Sequence, residues 1–460
     1  MRRLPNALVI LLGCVLWGVS PLPLRAAEDY YVDSQRGTDW EGGGSSLSPW
    51  RTLTFALARV SGPLATLHVA AGLHDLALGE VFPLVVPPGL SIRGAGRGET
   101  VIDAGGASEA FSLRSETYDG ATVISQLTVR AALNGIASSL STDVVSAPRL
   151  EDVGVSGCDV GIYLGASDGI NAPDLVSCRL TGNRIGVYVT AAFAGVAAPV
   201  IANAIIESNL ETGVLITAYG ASVTPVLIND TLAFNGTAGL ASFTATPEPV
   251  VRNCILYSNV SDLQNIEPQE IDHSDISDGT YAGMNGNIAL DPLFRDALQG
   301  DFRLVALSPC IDAGAAGPPG TLEPSDAYDA PRLIDGNLDL EAELDMGAHE
   351  FSNVELALSG GFSPGSTFTL GTQGLSSLDV FMIIGLQTGA LYIDPFGHLL
   401  VVPGFGPWLV LGWGKIPSQV DLAIPDDPAL SGIEIYFQAW AGRVIAGYGN
   451  FSNLIELRIL

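Results

Sequence analysis

Apolar residues recur along residues 148–259 in a pattern that repeats about every 25 residues. Successive copies open at Pro148, Pro173, Pro199, Pro225 and Pro249, and the second and seventh positions after each proline are apolar. Strand side chains alternate with a period of two, so these positions share a face only if the chain bends between them. A further apolar pair follows a glycine in three copies. The pattern therefore predicts three short strands per copy, separated by bends.

Asparagine occupies two other positions of the repeat. The tenth position holds Asn183, Asn209, Asn235 and Asn259, and the fourth holds Asn203, Asn229 and Asn253. Asparagine tolerates the left-handed backbone conformation that a tight bend requires. It also forms ladders when identical strands stack at about 4.8 Å. We therefore interpret each copy as one coil of a parallel β-helix, in which these asparagines form structural ladders.

The first residues indicate export. Two arginines precede an apolar run that ends at residue 19, and small residues follow at Ala26 and Ala27. This run is typical of a signal peptide and is too short to span a membrane. We predict cleavage near Ala26, a secreted or cell-surface protein and no transmembrane segment. A lipoprotein anchored at Cys14, which follows Leu-Leu-Gly, is the alternative.

The charge balance restricts the partners. The chain carries 49 acidic and 20 basic residues, for a formal net charge of −29. Such a surface repels nucleic acid, and an acidic polysaccharide would need a bridging cation. We expect no nucleic-acid partner. A monomer that binds a polysaccharide or another cell-surface component fits the composition.

The N-terminal region resembles a known family. The run YYVDSQRGTD precedes SPWRTLTFALA, and a third motif covers Gly79 to Gly106. Together they resemble the N-terminal domain of unknown function that opens many secreted bacterial right-handed parallel β-helix proteins with the pectate lyase fold. The resemblance implies that fold and a secreted setting, but no established activity. The helical spacing of residues 50–60 predicts a helix that covers the open end of the first coil.

A second resemblance covers the segment from Ile271 to Phe351. Its motifs are NIALDPLF, GDFRL, SPCIDAG and DMGAHEF, between Asn287 and Phe351. They resemble the ending of secreted bacterial β-helix proteins of the choice-of-anchor type. The resemblance implies a cap over the last coils, followed by a variable module for surface attachment. Alternating apolar runs after residue 352 predict an antiparallel β-sandwich.

These observations give an all-β prediction: a right-handed single-stranded parallel β-helix followed by a small antiparallel β-sandwich. The predicted boundaries are a signal peptide at 1–26, an N-terminal strand and capping helix at 27–60, the β-helix at 61–290, its C-terminal cap at 291–351 and the sandwich at 352–460.

One acidic stretch suggests a metal. Asp335, Asn337 and Asp339 have the spacing of a calcium loop, and Asp345 follows. Calcium is the one cofactor that the sequence suggests, and these four residues are its predicted ligands. Leu340 and Met346 stand where such a loop needs a glycine and a bidentate acid, so a solvated acidic loop is the alternative.

The sequence contains no recognisable catalytic set. Pectate lyases need clustered acids with an Arg or Lys base, and polygalacturonases need paired aspartates near a histidine. Neither pattern occurs on the coils, and Lys415 is the only lysine of the chain. Three functions stay open: a non-catalytic glycan or partner binder, which we favour, a polysaccharide lyase or glycoside hydrolase, and a purely structural repeat protein. The arginines available as a lyase base are Arg130, Arg149, Arg179, Arg184 and Arg252.

Overall fold

The structure is a computed structural model of the chain. It describes residues 28–60, 64–114, 117–244, 249–266, 271–316, 323–337, 341–374, 379–386, 388–393, 397–401, 408–415, 418–443, 448–452 and 454–459. The predicted signal peptide and Cys14 lie outside the described residues.

The N-terminal segment forms a strand and a short helix. Strand β1 (Glu28–Val32) pairs in parallel with the first strand of the coils, and helix α1 (Leu53–Leu57) follows a loop. The Thr52 side chain accepts a hydrogen bond from the backbone N–H of Phe55 and caps the helix. The helix begins after this cap and has five residues, so it is shorter than the predicted segment 50–60. Its inward residues Leu53 and Ala56 are part of the β-helix core.

The irregular first coils contain longer strands. Their bounds are β2 (Ala65–Val69), β3 (Gly72–Asp75), β4 (Leu84–Val85), β5 (Leu90–Arg93), β6 (Thr100–Arg114) and β7 (Val123–Leu140). Strands β6 and β7 each run through a bend, so one continuous strand covers two faces of a coil.

The regular coils follow. Their strands are β8 (Val145–Ser146), β9 (Arg149–Ser156), β10 (Val160–Ala166), β11 (Ile170–Asn171), β12 (Asp174–Val176), β13 (Arg179–Thr181), β14 (Ile185–Ala192), β15 (Val196–Ala197), β16 (Val200–Ala202), β17 (Ile205–Glu207), β18 (Thr212–Tyr219), β19 (Ser222–Val223), β20 (Val226–Ile228), β21 (Thr231–Ala233), β22 (Ala238–Ser242), β23 (Val250–Arg252), β24 (Ile255–Tyr257), β25 (Ser261–Gln264), β26 (Ile271–Asp272) and β27 (Asp275–Ile276).

Equivalent apolar residues stack from coil to coil. The column at the second repeat position is Leu150, Leu175, Ile201, Leu227, Val251 and Ile271. The column at the seventh is Val155, Leu180, Ile206, Leu232, Leu256 and Ile276. All are buried, and every strand pair between coils is parallel. The predicted parallel β-helix is therefore confirmed.

The coil differs from the prediction in one respect. Four of the regular coils contain an additional two-residue strand, and these strands, β8, β11, β15 and β19, form a separate sheet of their own. The predicted count of three strands is therefore wrong for these coils. Two residues are too short to show an alternating pattern, so the sequence carried no signal for this face.

The described part of residues 294–351 lies against the coils rather than only beyond them. Strand β28 (Phe294–Asp296) pairs with β29 (Asp301–Leu304) in an antiparallel hairpin. Phe302, Ala327 and Ala348 pack on the outward side of Ile205 and Ala233. This segment therefore covers one side of the later coils.

The C-terminal residues form antiparallel sheets. Their strands are β30 (Val354–Gly360), β31 (Thr367–Gly374), β32 (Asp379–Gly385), β33 (Thr388–Ile393), β34 (Gly397–Val401), β35 (Trp408–Lys415), β36 (Ser418–Ala423), β37 (Glu434–Arg443), β38 (Tyr448–Phe451) and β39 (Ile455–Arg458). Leu356 and Leu370 of one sheet share a core with Val380 and Phe437 of another, as in a sandwich. None of the helices in the described ranges is both long and apolar enough to cross a membrane.

Candidate functional site

The tenth-position asparagines form a buried hydrogen-bonded column. The side-chain Nδ2 of Asn183 donates to Oδ1 of Asn209 at 3.1 Å, Asn209 donates to Asn235 at 2.9 Å, and Asn235 donates to Asn259 at 2.9 Å. Each of these amides also donates to a backbone carbonyl of the preceding coil. The column ends where Asn259 donates to the carboxylate of Asp262 at 2.8 Å. Its role is structural because every amide bonds other protein groups, and Asn183, Asn209 and Asn235 are buried.

The fourth-position asparagines lie at a bend. Asn203, Asn229 and Asn253 have φ values of 56°, 55° and 53°. Two of them also hold the C-terminal segment: Asn203 accepts a hydrogen bond from Arg332 at 2.6 Å, and Asn253 exchanges two hydrogen bonds with the backbone of Ala315. The sequence repeat predicted the bend, but it did not predict the hydrogen bonds from these asparagines to the C-terminal segment.

A buried charged cluster fixes the C-terminal segment further. Arg332 and Glu350 form an ion pair at 3.0 Å, and both side chains are fully buried. Burial raises the pKa of Glu350 to about 7 although Arg332 opposes the shift, and burial raises the pKa of Asp326 to about 6. Burial and nearby arginines lower the pKa of His349 to about 3. This cluster is solvent-free, so it serves packing rather than substrate contact.

The predicted calcium ligands have different surroundings. Asp345 is buried, and its two oxygens accept hydrogen bonds from the backbone N–H groups of Asp312 and Phe351. Asp335 is also buried, Asn337 is exposed, and Asp339 lies outside the described residues. The part of the chain that the structure describes contains no group of three acidic, histidine or cysteine side chains arranged for a metal. Calcium binding therefore stays a prediction.

An open groove lies on the outer face where the irregular first coils meet the regular coils. Its volume is about 320 Å³, and its described lining includes Arg97, Thr128, Gly154, Ser156, Arg179 and Thr181. The floor comes from three strands in register: Thr128 pairs with Gly154, which pairs with Arg179, and Ser156 pairs with Thr181. Gly154 lacks a side chain, and a Cβ there would lie 3.1 Å from Oγ1 of Thr128. This glycine therefore keeps the middle of the floor open.

Two arginines line the groove, Arg97 from a loop and Arg179 from the last strand of the floor. Arg97, in the loop after β5, pairs with Asp152 at 2.5 Å. Arg179 pairs with Glu207 at 3.2 Å and donates to the carbonyl of Gly300 at 2.7 Å, in the turn of the β28–β29 hairpin. A side chain at Gly300 would collide with Arg179, because its Cβ would lie 2.4 Å from Nη2. Each guanidinium is therefore held in place by an acid and lies beside the hydroxyl-lined floor.

The other arginines that could act as a base are paired elsewhere. Arg130 pairs with Asp103 at 2.8 Å, Arg184 with Asp159 at 2.6 Å and Arg252 with Asp272 at 2.6 Å. Arg149 has two acidic hydrogen-bond partners. It bonds Glu151 and Glu323 at 2.9 and 3.1 Å, because the C-terminal segment brings Glu323 to this face.

Sequence reasoning identified Arg179 only as one of several arginines and missed Arg97 and Gly154. Arg97 comes from a loop of the irregular coils, where the repeat gives no register. Gly154 did leave a signal. It is the outward glycine between Thr128 and Arg179 in a column of larger side chains.

Comparisons with solved structures find β-helix proteins at low similarity. The A-module of an Azotobacter vinelandii mannuronan C-5 epimerase is 16% identical, with 49% of this chain and 94% of that chain covered and a TM-score of 0.23. The GH136 lacto-N-biosidase from Eubacterium ramulus is 9% identical, with 57% and 68% covered and a TM-score of 0.27. The comparison with curated proteins finds no match.

A family model does match, and it covers more than half of the chain. It extends over residues 35–291, from the loop before α1 to the end of the coils. The chain therefore belongs to the DUF1565 family of proteins of unknown function.

Proposed function

We propose that this chain is an exported β-helix protein that binds a neutral polysaccharide in the groove and does not cleave it. One observation carries the proposal: two fixed arginines flank a floor of three hydroxyls, opened by Gly154. Guanidinium N–H groups donate to sugar oxygens, while hydroxyls both donate and accept. From Thr128 to Arg179 the floor extends two strand spacings, about 9.6 Å, which suits a short run of sugar rings.

The charge of the groove favours a neutral chain. Arg97 is balanced by Asp152, and Arg179 by Glu207. The groove therefore has no excess positive charge to attract a polyanion, while the net charge of −29 repels one. A neutral glycan avoids this repulsion and still supplies hydroxyls to every group on the floor.

The protonation and hydrogen bonding of Arg179 favour binding without cleavage. A lyase needs a base that removes a proton beside the substrate carboxylate. Arginine stays protonated in proteins, and Arg179 already donates to Glu207 and Gly300. A glycoside hydrolase or lyase is the runner-up, since Asp152 bonds the groove residue Arg97 and its side chain is 32% exposed.

The groove is tested by filling its floor. A glycan array with the full exported chain would identify a ligand, and calorimetry would measure its affinity. We expect Gly154→Val to weaken binding at least tenfold, because the new methyl groups occupy the middle of the floor. Ser222→Val, an exposed strand position on another face, is the matched control. If the Gly154→Val variant binds the glycan as tightly as the wild type, the groove is not the binding site.

Cleavage and export are tested separately. Reducing ends or unsaturated products released from the bound glycan, and lost in an Asp152→Asn variant, would favour the enzyme. N-terminal sequencing of the exported protein should begin at Ala27. Lipid attached to Cys14 would instead support the lipoprotein.

A further inference from the structure

A second open pocket lies in the N-terminal loop, before α1. Its volume is about 360 Å³, and its described lining is Arg36, Thr38, Trp40, Ser46, Leu47, Ser48 and Pro49. It belongs to a different part of the chain from the groove, and no residue is shared between the two. The residues combine an indole, a guanidinium and three hydroxyls.

The indole of Trp40 is held with one face covered. A Cβ at Gly42 would lie 2.2 Å from the ring, so the ring lies directly on the glycine backbone. The indole N–H donates to the Ser48 hydroxyl at 3.4 Å. The side chain is nevertheless 51% exposed. The loop therefore presents a fixed aromatic surface to the pocket.

The segment beneath Trp40 is also fixed by the packing of an aromatic ring, that of Trp50. Trp50 is buried, donates its indole N–H to the carbonyl of Trp40 at 3.2 Å and stacks on Tyr30 at 5.4 Å between ring centroids. Gly44, with a φ of 100°, leaves room for the Trp50 ring. A rigid aromatic platform loses little conformational entropy when it binds a ligand.

Arg36 supplies the charge of this pocket. Its Nε bonds the buried Asp33 at 2.7 Å, which orients the guanidinium while 81% of the side chain stays exposed. The neighbouring acids are engaged by other groups: Asp39 accepts hydrogen bonds from Thr52, and Glu41 pairs with Arg59 at 2.6 Å. Asp33 contacts this side chain only through Nε, so the two terminal nitrogens of the guanidinium, unlike Nη2 of Arg179, are left as donors for a ligand in the pocket.

We propose that this pocket binds a single carboxylate-bearing sugar, such as the terminal uronic acid of a glycan. The apolar face of the pyranose would stack on Trp40, the carboxylate would pair with Arg36, and the ring hydroxyls would bond Thr38, Ser46 and Ser48. The inference is independent of the groove, because the ligand is a charged sugar unit rather than a neutral chain.

The test uses sodium glucuronate and glucose as probes of the full chain. We expect calorimetry to show glucuronate binding in the millimolar range and glucose binding at least tenfold weaker. Arg36→Gln should abolish the preference for glucuronate, and Trp40→Ala should weaken both sugars. Arg51→Gln, an exposed arginine of the same segment, is the control.

A conservative variant separates binding from folding. Trp40→Phe keeps an aromatic surface, so it should retain most of the affinity but lose the change in tryptophan fluorescence on titration. Gly154→Val should leave glucuronate binding intact, which distinguishes this pocket from the groove. The proposal is overturned if the wild type does not bind glucuronate or binds glucuronate and glucose equally. It is also overturned if Arg36→Gln keeps the wild-type preference for glucuronate.

Discussion

Asp230 is an acid placed inside the β-helix core, and its replacement should stabilise the protein. The carboxyl is fully buried; Oδ1 accepts the backbone N–H of Ala204 at 2.7 Å, whereas Oδ2 has no hydrogen-bond partner among the described residues. Burial raises the pKa of Asp230 well above its ordinary value, and nearby Arg332 only partly opposes this. Asp230 therefore destabilises the folded state near neutral pH.

Another coil of the same chain has a serine at the equivalent position. Ser274 occupies the equivalent position two coils later, where its hydroxyl accepts the N–H of Cys254 at 3.1 Å and donates to the carbonyl of Asp272 at 2.9 Å. Asp230→Ser should make the same two bonds, to Ala204 and to the carbonyl two residues before it. A serine at position 230 therefore supplies both hydrogen bonds without an ionisable group.

The magnitude follows from two opposing effects. Removing an unpartnered buried oxygen should contribute about 1–3 kcal/mol. The smaller side chain leaves a void of about 20 Å³, which costs about 0.5 kcal/mol. We expect Asp230→Ser to raise the free energy of unfolding by about 1–2 kcal/mol near pH 7.

The sign of the pH dependence provides a second check. The folded pKa of Asp230 is raised above the unfolded value of 3.8, so stability is fully present below that value and is lost as pH rises. The advantage of the serine should therefore shrink at about pH 4.5.

Urea denaturation followed by fluorescence and circular dichroism measures this difference at both pH values. Asp143→Ser, at an exposed turn, controls for the change in charge. A variant no more stable than the wild type near neutral pH, or a gain independent of pH, would refute the reasoning.

Three further predictions concern stability. Asn209→Ala should lower the free energy of unfolding by about 2–4 kcal/mol in urea denaturation, because four hydrogen bonds of the buried column are lost; an effect below about 1 kcal/mol would contradict it. The wild type should be more stable near pH 5 than near pH 8, because Glu350 and Asp326 have pKa values raised to about 7 and about 6, although His349 opposes this; a flat pH profile would count against it. Millimolar calcium should raise Tm in scanning calorimetry if the predicted loop binds it, and an unchanged Tm would leave a solvated loop; the ligands are Asp335, Asn337, Asp339 and Asp345.

The sequence predicted the β-helix because each coil repeats the same local pattern. The apolar columns that begin at Leu150 and Val155 follow directly from positions two and seven of the repeat. Stacking at one strand spacing turns a sequence period into a spatial column, so a one-dimensional pattern contains the register. A repeat fold is unusual in this respect.

The tertiary structure alone decided the sites. The groove needs Arg97, Gly154 and Gly300, which are far apart in the sequence and come from a loop, a strand and a hairpin turn. The side-on position of the C-terminal segment likewise depends on pairs such as Arg332 with Asn203 and Arg149 with Glu323. These contacts join segments that do not share the period of the repeat. Periodicity specifies which residues stack on their own copies, whereas packing of the non-repeating segments determines which outward side chains meet.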